Sequence, residues 1–125
     1  MKINLKYYLK VFVLVLAIII VFTVIDYIVH SLHESLAVPG YYFRNKIIFG
    51  TLIGFGTYLF IKNMKVMPRA IVFSAVVATL LQVRYFFEGY PLWFVFSFLA
   101  LHFLMVFPAA WHAFKVSDKK KFLKN

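Results

Sequence analysis

Three residues near the end of the first apolar run have the types and spacing to do chemistry together. Asp26, His30 and His33 stand at i, i+4 and i+7. At about 100° per residue they fall within about 60° of one helical face. Thr23 and Glu34 flank the same stripe, and Asp26 and Glu34 are two of only four acids in the chain. A carboxylate beside neutral imidazoles can ligate zinc or a similar divalent ion, which makes Asp26, His30 and His33 a candidate metal set. The order of residues 30–34 is HxxHE, not the HExxH of zinc proteases, so the pattern names no enzyme class.

These residues must be positioned by helices that sit in lipid. Of 125 residues, 64% are hydrophobic, against about 45–50% in soluble domains. The apolar residues come in four blocks of near membrane-spanning length, without the alternation of a transmembrane β-barrel. The expected fold class is all-α: a polytopic membrane protein, one domain over 1–125, with four spans at about 6–33, 46–62, 69–87 and 92–114. Pro39-Gly40 and Glu88-Gly89-Tyr90-Pro91 supply turns, and Pro68 suits the start of the third helix. Pro108 is expected to kink the fourth. Tyr7, Tyr8, Tyr41, Tyr42, Phe43, Trp93 and Trp111 fall where interfacial aromatic belts belong.

The net charge is +10, and its distribution points to a membrane and not to nucleic acid. With the N-terminus inside, eleven Lys and Arg fall on the cytoplasmic side, against Arg44, Lys46 and Arg84 outside. The positive-inside bias therefore predicts both termini in the cytoplasm of a cell bounded by a plasma membrane. The inner lysines are expected to meet anionic lipid headgroups. The chain has no cysteine, which removes thiol nucleophiles, disulfides and Cys-ligated metals.

Packing signals refine the picture. Gly50 and Gly54 form a GxxxG, which allows close helix approach within the chain, in a homo-oligomer or in a larger membrane complex. Ser74, Ala75, Ala78, Thr79 and Gln82 form a small and polar stripe expected to face other helices.

By depth, Asp26, His30, His33, Glu34, Gln82, Arg84 and Glu88 gather at the outer mouth, and the inner side holds almost only lysine. Asp26 is expected to meet Arg84 across the first and third helices. His102, about 15 Å into the fourth helix, lies too deep to meet His30 when each is measured from its own helix end. No haem is therefore expected, and His102 is read as a residue that hydrogen-bonds between helices. Three readings compete for the outer cluster: a structural ion-pair network, a binding or transport site, and a metal site. Binding, transport or an accessory-subunit role is favoured over catalysis, with a metal-dependent membrane enzyme as the alternative. No GxSxG, phosphate loop or internal repeat is present.

Overall fold

The computed structural model describes residues 2–124. It is all-α: α1 (Leu5–His30), α2 (Tyr41–Ile61), α3 (Val66–Phe87) and α4 (Leu92–Lys119), with a short 3-10 turn at Glu34–Leu36. α1, α3 and α4 are each long and apolar enough to cross a membrane. α1 packs on α2 and α4, and α3 packs on the same two helices. Short connections make neighbours antiparallel. The start of α1, the α2–α3 connection and the end of α4 thus meet at one end, where Tyr7, Lys62 and Leu123 line a common pocket.

Local chemistry sets the helix ends, and several differ from the expected ones. Asn4 caps α1, its side-chain oxygen accepting from the Tyr7 N–H at 3.1 Å. α1 stops at His30, not 33, because His33 turns out of the helix to cap the following 3-10 turn. α2 starts at Tyr41 directly after Pro39-Gly40, not at Lys46, so Lys46 lies inside the helix. α3 begins at Val66, ahead of Pro68 and Arg69, which places Pro68 in the first turn. α4 carries Pro108 internally and continues past 114 to Lys119. That extension is anchored by Asp118, which accepts from Arg69 Nη1 and Nη2 at 3.1 and 3.0 Å. The termini end therefore holds an ion pair with a buried arginine as well as its lysines.

Each helix buries one stripe. On α2 it is Tyr42, Lys46, Gly50, Gly54 and Tyr58, and on α4 it is Phe94, Phe98, His102, Val106, Ala110 and Phe114. On α3 Ser74, Ala78 and Gln82 are buried as expected, whereas Ala75 and Thr79 are exposed. The apolar side chains form two clusters. The larger runs from Val11 and Phe22 to Phe73, Val106 and Phe114, and the smaller joins Tyr42, Tyr85, Phe94, Val95 and Phe98. Asp26, Lys46 and His102 are buried at the junction of the two, where Phe22 of the larger cluster and Phe98 of the smaller both pack on His102 and Val29 and Leu101 pack against both clusters.

The GxxxG works inside the chain. A Cβ added to Gly50 would lie 3.2 Å from Ile19, and one on Gly54 would lie 2.8 Å from Val15 and 2.9 Å from the Phe73 ring. Gly56, by contrast, faces open space. Gly54→Leu is expected to destabilise the fold by about 1–3 kcal/mol through overpacking. Gly56→Ala is expected to be neutral or stabilising. Thermal unfolding of both variants in one detergent checks this; equal midpoints would remove the close-packing assignment.

Candidate functional site

The site is built around Asp26, which is fully buried on the last turns of α1. Three residues contact it and a fourth, Tyr85, reaches the cluster through His30. His30 follows on the same helix at i+4, Lys46 comes from α2, Tyr85 from α3 and His102 from α4. His102 Nε2 lies 3.0 Å from Asp26 Oδ1, and His30 Nε2 lies 3.4 Å from the same oxygen. The Lys46 ammonium donates to Asp26 Oδ2 and lies 3.5 Å from His30 Nε2. The Tyr85 hydroxyl is also 3.5 Å from His30 Nε2.

The hydrogen bonds assign the protons. His30 Nδ1 faces the carbonyl of Leu36, which can only accept, so Nδ1 carries a hydrogen. His30 Nε2 faces three groups at once, the Asp26 carboxylate at 3.4 Å and the Lys46 ammonium and Tyr85 hydroxyl at 3.5 Å each. His102 must donate through Nε2 to the carboxylate, which leaves its Nδ1 as a lone pair; that atom is buried without a partner among the described residues.

Aromatic rings enclose it. Phe98 stacks on His30 with centroids 4.2 Å apart and planes within 6°. Phe22 meets His102 edge-on at 5.3 Å. The Lys46 ammonium lies 5.2 Å from the Tyr85 ring centre and 5.5 Å from that of Phe43, a cation–π setting that partly replaces lost water.

Several sequence-based expectations are corrected. Asp26 pairs with Lys46, not Arg84. Arg84 is exposed and bonds Glu88 one turn on through Nε at 2.8 Å, with its guanidinium 5.1 Å from the Tyr42 ring centre. Arg84 points away from buried Gln82, as their two-residue spacing dictates. His33 and Glu34 are exposed outside the cluster. Gln82 is buried, but neither atom of its amide finds a partner among the described residues. His30 and His102 do meet, with ring centroids 6.5 Å apart. The helices end at different levels: Phe98, six residues into α4, stacks on the last residue of α1. Depth counted from each helix's own end therefore misleads.

The missed residues carried a signal. Lys46, Gly50 and Gly54 share one i, i+4 stripe, so the glycine face that must pack also carries the lysine inward. The metal set changes accordingly: Asp26, His30 and His102 offer ligand atoms within 4.8 Å of one another, and His33 is not among them.

A groove of about 300 Å³ between α2 and α3 leads to the cluster. Tyr42, Asn45, Lys46 and Arg84 line its polar part, and Phe49, Ile53, Leu80 and Leu81 its apolar part. The Tyr42 hydroxyl is buried without a partner among the described residues. Lys46 and Tyr85 thus belong to both the groove and the cluster.

No protein-family model matches the chain, and no curated protein or solved structure is found similar to it.

Removing either member of the Asp26–Lys46 pair strands a buried charge, so Asp26→Asn and Lys46→Met should each cost about 3–5 kcal/mol. The double variant should cost clearly less than the two singles combined. A double-mutant cycle by chemical denaturation that shows plain additivity would remove the pairing.

Proposed function

We propose that the chain is an integral membrane protein with four spans, α2 being the fourth, that binds or transports a small amphiphilic anion together with a proton. α2 has 21 residues, enough to span the hydrocarbon core despite Arg44, Asn45 and Lys46 near its start. The excess of Lys and Arg at the termini end supports a plasma-membrane orientation with both termini cytoplasmic and the Asp26 cluster in the outer half. The basic end would also attract anionic headgroups.

One observation carries the functional reading: Lys46 sits on Asp26 and also lines the groove. An anion entering the groove competes with Asp26 for the same ammonium. Once Lys46 turns to the anion, Asp26 needs another positive partner in a low-dielectric setting. His30 and His102 already face its Oδ1, and a proton on either supplies that charge. Anion and proton then bind as a neutral pair. A purely structural ion pair needs one acid and one base; two further imidazoles on the same carboxylate suit proton exchange. The groove fits a charged head near Lys46 and Arg84 and an aliphatic chain along Phe49 and Leu80.

Octanoate added to the detergent-solubilised protein in weak buffer should bind with uptake of one proton. Its affinity should rise as pH falls, approaching about tenfold per pH unit. The charge-neutral double variant Asp26→Asn/Lys46→Met should lose both responses. Binding without proton uptake, or unchanged binding in the double variant, would overturn the coupling.

A second reading rests on the closeness of the Asp26, His30 and His102 ligand atoms. Zinc or a similar ion fits that donor chemistry and would allow a metal-dependent enzyme. Lys46 opposes it, because its ammonium already occupies the carboxylate. Elemental analysis of purified protein, with and without Lys46→Met, separates the two readings.

Topology is tested apart from ligand chemistry. The chain has no cysteine, so single introduced thiols report cleanly. Gly40→Cys should react with an impermeant maleimide applied to intact cells, and Lys65→Cys should not. The opposite pattern would invert the orientation.

A further inference from the structure

The termini end holds a second built pocket, of about 500 Å³, between the start of α1, the end of α2 and the last turns of α4. Arg69 and Asp118 lie on its wall and neutralise each other through the bidentate pair. Lys62, Lys121 and Lys124 also line it, and no ion pair involves any of them among the described residues. The local charge is therefore strongly positive. Ser117 lies on the same wall, 5% exposed, and its hydroxyl has no hydrogen-bond partner among the described residues.

The backbone goes out of its way to place these groups. α4 ends in a Schellman motif: Phe122 N–H bonds the Ser117 carbonyl at 2.9 Å, and Lys121 N–H bonds that of Asp118 at 3.2 Å. The residue in the left-handed conformation is Lys121, with φ of 52°. Glycine is the usual occupant there, since a side chain is disfavoured in that region. The turn folds residues 121–124 back over the pocket, where Leu123 packs on the main apolar cluster. A simple solubilising tail needs neither the strained lysine nor the buried hydroxyl.

We propose that this pocket binds a phosphate group, with Lys62, Lys121 and Lys124 supplying charge and the Ser117 hydroxyl donating a hydrogen bond. Lysine acts as a point-charge partner for phosphate, and charge-assisted bonds are the strong ones in a half-buried site. The phosphate can belong to a lipid headgroup of the adjacent leaflet or to a soluble phosphate compound. This site involves no residue of the Asp26 cluster, so it stands or falls separately from the proton-coupled reading.

The test uses the full chain with two probes. In nanodiscs of phosphatidylcholine doped with phosphatidylglycerol, native mass spectrometry should find phosphatidylglycerol enriched on the protein. In detergent, pyrophosphate should raise the thermal midpoint if the site takes soluble phosphate. Lys121→Gly is the key variant, because glycine relieves the backbone and removes the charge together. It should fold at least as stably as the parent yet bind about tenfold more weakly. Ser117→Ala should weaken binding less, and Lys119→Gln, outside the pocket, should leave it unchanged. Response to phosphatidylglycerol alone assigns a lipid; response to pyrophosphate, lost in Lys121→Gly, assigns a soluble phosphate. No enrichment and no shift with either probe overturns the proposal, as does equal weakening by Lys119→Gln and Lys121→Gly, which would indicate diffuse charge only.

Discussion

The Lys46–Asp26 contact is the constraint on which the rest depends. Both groups are almost wholly buried, so neither charge can be shed to water. Each is tolerable only while the other stays in place. That requirement fixes the register of α2 against α1, and it needs the two helices close together. Gly50 and Gly54 lie one and two turns below Lys46 on the same stripe and permit that approach against Val15, Ile19 and Phe73. The GxxxG and the ion pair are thus parts of one arrangement: the glycines bring α2 in, and the lysine uses the proximity. α4 then closes the other side of Asp26 through His102, and α3 closes the top through Tyr85.

The two ends of the molecule solve the problem of charge differently. Around Asp26 the carboxylate and the Lys46 ammonium balance at the junction of the two apolar clusters. At the termini end, among the described residues, Arg69 and Asp118 balance each other and the lysines around them make no ion pair. The first arrangement can change its charge only by moving a proton or admitting an ion. The second has charge to spare and a wide mouth.

Much of this was legible in the sequence, for physical reasons. An acid inside an apolar run has few ways to be satisfied, so Asp26 and its i+4 neighbour His30 could be read directly. Apolar block lengths gave the helices, because lipid demands them. Lys46 was hidden by its position: read as the first residue of α2, it looked like a flanking interfacial charge. Pro39-Gly40 marked the true start, and the buried stripe from Tyr42 through Gly50 and Gly54 passes through position 46. Arg84 misled in the opposite way. Similar depth suggested a partnership with Asp26, but depth says nothing about azimuth, and Arg84 lies off the face that buries Gln82 and Tyr85. His102 was misplaced because depth was counted from each helix end, and α4 overshoots α1 by about two turns on that side, roughly 10 Å.

The surplus of partners around Asp26 supports the proposed exchange site over a simple brace. Lys46 alone neutralises the carboxylate. His102 adds a donor but leaves its own Nδ1 without a partner among the described residues, and His30 adds a second imidazole 3.4 Å from the same carboxylate oxygen. Each addition costs desolvation that a leucine or phenylalanine at the same position would avoid. If the cluster only held helices together, those costs would buy nothing. Under the proposed function, the histidines beside a groove that shares Lys46 would give Asp26 a replacement cation as the lysine is drawn away. The same proposal fits a groove whose polar part lies at Lys46 and whose apolar part runs along α2 and α3: a charged head would reach the ammonium while its chain stayed out of water.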